Sequence, residues 1–292
     1  MIPEHVIHRI RRIHIKSRRT VNTLMAGQYR SVFRGTGIEF EEVREYVPGD
    51  EVKSIDWNVS ARLGKPFVKR YREERESIVI LLVDMSASLN FGTHFGSKLE
   101  KVAELASVIA FNAIKNNDKV GVIFFTDQVE KYIPPKKGSA HVWRVIKEIF
   151  TFEPQARGTD IEAALTFMSR VCKKRSLVFV VSDFLAPCFE QGLKIAGRRH
   201  EMVGVRVYDT GAFDLPERGI VCLRDFETGQ TQVVDAGSKK TRDWFFNCRS
   251  RAHARAADIF NRARVDLVEM QTRESVADVL TRYFCLREKR QQ

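Results

Sequence analysis

What the sequence lacks already limits the class of protein. It contains no run of about eighteen consecutive apolar residues, and no apolar segment follows the basic residues at its start. We therefore predict neither a membrane-spanning helix nor a secretory signal, and we expect a cytoplasmic protein. The five cysteines are widely scattered and include no C-x-x-C pair. This spacing predicts neither a disulfide framework nor a zinc site.

The sequence also has fewer acidic than basic residues. Lys and Arg number 49 against 37 Asp and Glu, which gives a formal net charge of +12. Such a charge favours an acidic partner, which could be nucleic acid, an anionic membrane surface or a protein. The excess is densest in residues 1–35, where Glu4 is the single acid. In this basic arm, Val6, Ile10 and Ile13 have helical spacing, which indicates an amphipathic helix that is either docked and solvated or bound to a polyanion.

The central feature of the sequence is an apolar run, residues 78–83, that ends in Asp84, Ser86 and Ser88. An unbroken run rich in Val and Ile fits a strand covered on both faces, as in a parallel sheet, better than a half-exposed strand. In open α/β sheets, ligands bind outside the carboxyl ends of the strands. We therefore expect the functional chemistry at Asp84 and the hydroxyls that follow it.

Strands and helices alternate along the rest of the chain. Apolar runs predict further buried strands at residues 120–125, 177–182 and 201–208, and helical spacing predicts a helix over residues 98–115 with Ser97 as its N-cap. This rhythm is typical of an α/β fold with a doubly wound, mostly parallel sheet. A shorter strand is expected to start at residue 129 and to stop at Pro134-Pro135.

The chain is predicted to divide into an N-terminal part and this main domain. Residues 1–75 would hold the basic arm and a small subdomain. The charged residues of this subdomain, such as Arg44 and Asp50, have no spacing that is typical of acid-base catalysis. We therefore expect these charges to pair with one another. Residues 76–292 would form the main domain, with a C-terminal hairpin that turns at Thr228-Gly229. Asp160 and Asp209 are interpreted as helix caps or solvated residues.

Two further oxygen donors are expected near Asp84. Thr159 follows a glycine in a loop, and Asp183 ends the strand predicted at residues 177–182. Two carboxylates and three hydroxyls suit Mg²⁺ or Mn²⁺ and suit zinc or copper poorly. In the alternative interpretation, Asp84 and Asp183 cap helices or bind loop amides without a metal. We favour the metal because two acids at adjacent strand ends would repel each other without a cation.

The five residues Asp84, Ser86, Ser88, Thr159 and Asp183 resemble the metal-ion-dependent adhesion site of the von Willebrand factor A domain. Other motifs resemble the bacterial family called domain of unknown function 58, over about residues 27–210. These motifs are Gly37-Ile-Glu39-Phe40, Arg44-x-Tyr46, Gly49-Asp50, Ile55-Asp56-Trp57 and Ala61-Arg62, followed by residues 84–92 and Ser182-Asp183-Phe184.

The resemblance implies a Rossmann-like α/β domain, von Willebrand factor A-like, that binds partners and is not an enzyme. In the family pattern the metal is held by Asp84, Ser86, Ser88 and Thr159 directly and by Asp183 through water. An acidic side chain of a partner completes the shell. The implied ion is Mg²⁺, with Mn²⁺ or Ca²⁺ as alternatives. The implied partner is a MoxR-type AAA ATPase, for which the protein would act as an adaptor or cochaperone.

Two other functions stay open. A strand that ends in an aspartate beside a magnesium site also resembles phosphoryl-transfer enzymes of the haloacid dehalogenase type. Those enzymes carry a second acid two residues later, where this chain has Ser86, so a Mg²⁺-dependent phosphoesterase is less favoured. Nucleic-acid binding through the basic arm and the arginine-rich segment 242–264 comes third, and it predicts a steep loss of affinity with salt.

Overall fold

The structure is a computed structural model that describes residues 37–74, 77–90, 92–93 and 96–291. The basic arm predicted at residues 1–35 lies outside this range. The described residues divide into two compact units, one that ends at Ser77 and one that begins at Ile78.

The strands of both units are β1 (Gly37–Glu45), β2 (Phe67–Glu74), β3 (Ile78–Asp84), β4 (Gly92–Thr93), β5 (Gly96–Ser97), β6 (Lys119–Phe125), β7 (Val129–Lys136), β8 (Leu177–Ser182), β9 (Glu201–Tyr208), β10 (Ile220–Arg224), β11 (Thr231–Asp235) and β12 (Asp266–Gln271). The α-helices are α1 (Trp57–Leu63), α2 (Lys98–Lys115), α3 (Ser139–Thr151), α4 (Ile161–Val171), α5 (Glu190–Arg199), α6 (Lys239–Ala263) and α7 (Val276–Gln291). Short 3-10 helices cover Val52–Ser54, Ala87–Asn90 and Thr210–Ala212.

The first unit is built on the antiparallel pair β1 and β2, with α1 between them in the chain. Ion pairs connect several of its charged side chains. The Arg44 guanidinium lies 2.7 Å from Asp50, and the Lys69 ammonium lies 3.3 Å from Asp56. Asp56 also caps the start of α1. These contacts confirm the prediction that the charges of this segment pair with one another.

The second unit contains a six-stranded sheet in the order β12-β9-β8-β3-β6-β7. The first five of these strands run parallel, and β7 at the edge is antiparallel to β6. The apolar run of β3 lies in the middle of the sheet, where Val79 and the four residues after it are completely buried. The predicted α/β fold with a doubly wound, mostly parallel sheet is confirmed.

Two layers of helices cover the sheet. Helix α2 packs beside α3 and α7, and helix α5 packs between α4 and α6. Because side chains alternate along a strand, β3 contributes to both layers. Ile80 and Leu82 join the apolar cluster that contains α4, α5 and α6. The run lacks alternation for this reason: both of its faces need apolar side chains.

One strand is longer than its sequence predicts. We expected Pro134 and Pro135 to stop the strand, but β7 continues through both prolines to Lys136. That prediction was wrong because β7 is an edge strand, where a residue without an N–H costs no ladder bond on the outer side. The pairing of β7 with β6 shifts register between Val120 and Val122, which accommodates the prolines.

The strand order places a topological switch between β3 and β8. From β3 the chain moves to β6 and β7 on one side, and then it returns to β8, β9 and β12 on the other. At such a point the connections leave in opposite directions and open a crevice at the carboxyl ends of the strands. Asp84 ends β3 and Asp183 follows β8. The fold therefore brings the two predicted acids to one crevice.

Candidate metal centre

Asp84 is completely buried in the crevice, with no exposed surface. The chain turns directly after β3, so the amide of Ser86 donates a hydrogen bond of 2.8 Å back to Oδ1 of Asp84. The hydroxyl of Ser182, at the end of the neighbouring strand β8, donates to Oδ2 at 2.5 Å. Each carboxylate oxygen is thus oriented by a donor from a different strand end.

The electrostatic surroundings of Asp84 oppose its ionisation. Burial is the largest cause, and the nearby carboxylate of Asp183 adds to it, so that together they raise the pKa of Asp84 to about 7. The hydrogen bonds from Ser182 and Ser86 act in the opposite direction but are outweighed. A bound cation would favour the ionised carboxylate, so this group is suited to metal binding.

Lys98 provides one positive charge at the centre. Its ammonium lies 2.8 Å from Oδ2 of Asp183, and both side chains are buried. Lys98 begins helix α2, where a cation is unfavourable toward the helix dipole, so the contact with Asp183 accounts for its position. The sequence did not predict a role for Lys98, because a lysine near the start of a helix is usually a surface residue.

Of the two serines after Asp84, Ser86 directly precedes the short 3-10 helix that follows β3, and Ser88 lies within it. The hydroxyl oxygens of Ser86 and Ser88 are 3.0 Å apart, with Ser86 buried and Ser88 half-buried. The amide of Ala87 donates to the carbonyl of Arg157 at 3.1 Å, which ties this turn to the loop that carries Thr159.

Thr159 reaches the same edge of the sheet through that loop. Asp160 fixes the end of the loop: its amide donates to the carbonyl of Thr126, and its side chain caps α4, as predicted. The hydroxyl of Thr159 donates a 2.7 Å hydrogen bond to Oε1 of Glu227, which lies in the turn between β10 and β11. The sequence did not predict a role for Glu227.

Glu227 belongs to the electrostatic environment of the two acids. Burial raises the pKa of Glu227, and the negative charges of Asp183, Asp225 and Asp127 raise it further, against the hydrogen bond from Thr159. The influence of Asp183 on this pKa and the hydrogen bond from Thr159 both indicate that the Glu227 carboxylate lies near the crevice. Together with Asp84, Asp183 and Glu227, Asp127 is a fourth acidic side chain that makes the potential at this edge of the sheet negative.

The donors present fit a hard divalent cation. The five predicted residues offer oxygen atoms alone, which is the donor type that Mg²⁺ prefers, and Mg²⁺ commonly keeps several water ligands. Across the described ranges, no three His, Cys, Asp or Glu side chains converge on one point where they could hold a metal. A metal in this crevice would therefore depend on the hydroxyls of Ser86, Ser88 and Thr159 as well as on the carboxylates.

The arginines of α6, which suggested nucleic-acid binding, make several internal contacts. Arg242 donates to the carbonyls of Ala236 and Gly237, and Arg255 donates to the carbonyl of Leu185. Arg262 lies 3.5 Å from Glu190. These side chains support the packing of α6 against neighbouring loops and α5, so the charge of the segment does not by itself indicate a polyanion site.

The fold and the crevice define a class of protein: a doubly wound α/β domain whose acids and hydroxyls meet at the switch point, consistent with a von Willebrand factor A-like fold. Within that class, the chain belongs to the family described as "Protein of unknown function DUF58", whose sequence model matches residues 42–256. This match includes the hairpin β10–β11 as well as the crevice.

Curated relatives extend over most of the chain. Uncharacterized protein Rv1480 of Mycobacterium tuberculosis is 29% identical over 277 residues, which cover 93% of this chain and 86% of the relative. Uncharacterized protein YeaD of Bacillus subtilis is 25% identical over 107 residues, or 37% of this chain and 25% of that protein.

A solved structure supports the fold. An aerotolerance-related membrane protein from Bacteroides fragilis superposes with a TM-score of 0.51 at 16% identity, covering 73% of this chain and 99% of that chain. At this identity the likeness concerns the fold alone. Among the helices of this protein that the structure describes, none is both long and apolar enough to cross a membrane.

Proposed function

We propose that this protein is a metal-dependent protein-interaction module that serves a MoxR-type AAA ATPase as an adaptor or cochaperone. The observation that carries the proposal is the environment of Asp84: a completely buried carboxyl group beside a second acid, at the switch point of the sheet. Buried charges are retained where they are paired or coordinate a metal. The resemblance to the adhesion site supplies the kind of partner group, which is a carboxylate.

In the proposed site, Asp84, Ser86, Ser88 and Thr159 would hold Mg²⁺ directly and Asp183 would hold it through water, with Mn²⁺ or Ca²⁺ as alternatives. When bound, the ion supplies the positive charge to which an acidic side chain of the partner attaches. The residues of this chain do the positioning. The Ser86 amide and the Ser182 hydroxyl orient the carboxylate of Asp84, and Lys98 holds that of Asp183.

Binding is favoured over catalysis by the surroundings of Asp84. Hydrogen bonds orient both of its carboxylate oxygens, and each oxygen keeps a lone pair that can bind a metal ion. The position two residues later holds Ser86, which cannot act as the acid-base partner that phosphoryl transfer from an aspartate needs. We therefore propose that the protein does not turn over a substrate.

The proposal is tested by substituting the central acid. We expect Asp84→Asn to lower Mg²⁺ affinity by more than the roughly 100-fold that loss of an outer-shell group can cause, as measured by calorimetric titration. The same substitution should abolish recovery of a MoxR-type AAA ATPase in a pull-down in Mg²⁺ buffer, and chelation of the metal should do so with the unchanged protein. Circular dichroism should show a folded variant.

Asp209→Asn is the matched control, because Asp209 is equally buried at the end of another strand of the same sheet. This variant should retain both Mg²⁺ and the partner. Equal recovery of the ATPase with the unchanged protein and with Asp84→Asn would refute the metal bridge. Phosphate release from generic phosphoesters that disappears in Asp84→Asn would refute the proposed lack of catalysis.

A further inference from the structure

Hydrogen bonds within the turn between β10 and β11 hold it in a defined conformation. The amide of Asp225 donates to the carbonyl of Gln230 at 2.8 Å, and the amide of Gly229 donates to the carbonyl of Asp225 at 2.9 Å. Oδ1 of Asp225 accepts the amides of Glu227 and Thr228 at 2.8 and 3.0 Å. Gly229 closes the turn with a φ of 72°, which a glycine adopts without strain. Glu227 is therefore presented in one orientation.

Glu227 differs from its neighbours in the turn. Asp225, Phe226 and Thr228 are exposed, whereas Glu227 is half-buried and bonded to the hydroxyl of Thr159 at 2.7 Å. Partial burial of a carboxylate in a surface turn is unfavourable unless a donor or a cation compensates for it. The negative charges of Asp183 and Asp127 also face it. A divalent cation in the crevice would convert this repulsion into attraction.

The hairpin is not part of the main sheet. Strands β10 and β11 pair with each other in a two-stranded sheet of their own, separate from the six-stranded sheet. Their outer side chains Ile220 and Val233 are largely exposed. An isolated two-stranded hairpin is only marginally stable, so its attachment depends on contacts such as the one from Glu227 to Thr159.

We propose that Glu227 is the site's own acidic ligand. It occupies, at Thr159, the position that a partner's carboxylate would take, so the turn must withdraw before an acidic segment of the partner can bind. This inference rests on the proposed metal site. In this inference the contact between Glu227 and Thr159 regulates access to the site. It also predicts that the segment of the partner that binds here carries an Asp or Glu, whose carboxylate takes the place of the Glu227 carboxylate.

Hydrogen exchange of residues 225–230, with Mg²⁺ as the probe, tests this inference. In the unchanged protein we expect Mg²⁺ to slow exchange of these amides by about tenfold, because the ion and Glu227 would stabilise each other's binding. In Glu227→Gln the protection should disappear, and the affinity for Mg²⁺ should fall by about tenfold as a nearby carboxylate is lost. The isosteric amide keeps the size of the side chain.

Glu217→Gln is the charge-matched control, since Glu217 is exposed and lies in the loop before β10. It should behave as the unchanged protein in both measurements. If Mg²⁺ binds in an Asp84-dependent manner while Glu227→Gln matches Glu217→Gln, the internal ligand is wrong and the metal site stands. If the unchanged protein binds no Mg²⁺, the metal site and the internal ligand are both wrong.

Discussion

Two aspartates at strand ends of the same sheet are almost equally buried but differ in their neighbours. Asp84 ends β3 with no exposed surface, and Asp209 follows β9 with 1% exposed. Asp209 accepts the amide of Gly211, which caps the short turn after it, and the hydroxyl of Thr272 at 2.9 Å. Asp84 also accepts an amide and a hydroxyl, but it additionally faces a second carboxylate, Asp183.

The comparison shows that burial and strand-end position do not by themselves mark a functional acid. Asp209 lies beyond β8, where the strand order continues in one direction through β9 to β12. Asp84 lies at the switch between β3 and β8, where the crevice opens and where the hydroxyls of Ser86 and Ser88 are available. The candidate function follows from the second acid and these hydroxyls, while Asp209 caps a short helix, which is one of the two roles predicted for it, and is not solvated.

The largest expected effect tests whether the stability of the fold depends on the buried ammonium group of Lys98 in the Asp84 crevice. Lys98→Met keeps the length of the side chain but leaves the charge of Asp183 buried without its ammonium partner. We expect the free energy of unfolding without metal to fall by about 3–5 kcal/mol, the range for breaking a buried pair from one side. Urea titration in the presence of a chelator measures it.

Lys194→Met is the control for Lys98→Met, because Lys194 pairs with Glu190 on the surface of α5 at 2.6 Å. Exposed pairs of this kind contribute about 0–1 kcal/mol, so this variant should be nearly as stable as the unchanged protein. Equal effects of the two substitutions would show that the Asp183 carboxylate is solvated and that the crevice is more open than its burial indicates.

The next effect should differ in sign between the two aspartates. At pH 8 without metal, Asp84→Asn removes a buried charge that burial and Asp183 disfavour, so we expect it to stabilise the fold by about 2 kcal/mol. Asp209→Asn weakens the bonds to Gly211 and Thr272 and should destabilise the fold by about 1 kcal/mol. Urea titrations of both variants measure these changes. Destabilisation by both substitutions would remove the distinction between them.

Much of the fold could be predicted because its information is local. The apolar runs of β3, β6, β8 and β9 and the cap of α2 at Ser97 are readable in single segments. Strands β1 and β2 were not predicted, because charged residues interrupt their apolar ones and they are strands through pairing with each other. The extension of β7 through Pro134 likewise depends on its edge position, which the local sequence does not reveal.

The residues of the candidate site likewise include some that the local sequence predicts and others that it does not. Asp84, Ser86 and Ser88 stand together in the sequence, and the α/β topology predicts that Asp183 shares their edge. Lys98 and Glu227 were missed because their contacts join residues 85 and 68 positions apart. Nothing in the segment around either residue specifies these partners, since a lysine at a helix start and a glutamate in a turn are ordinary surface residues.

The smallest effect concerns pH. The pKa of Asp84 in the folded, metal-free protein is about 7, above its ordinary value of 3.8. The folded state therefore holds this proton more tightly than the unfolded state does. The resulting stability is fully present below the ordinary value and is lost as the pH rises through about 7. Metal binding needs the ionised carboxylate, so its affinity must change in the opposite direction with pH.

We expect the Mg²⁺ affinity to rise by about tenfold per pH unit between pH 5.5 and 6.5 and to level off above about 7, as one proton is released per ion. Calorimetric titrations at several pH values in buffers of different ionisation enthalpy measure both the affinity and the proton release. Asp209→Asn should keep this profile, because its carboxylate is not at the crevice. A flat affinity over this range would show that Asp84 is already ionised without the metal, and the two aspartates would then differ in position but not in protonation.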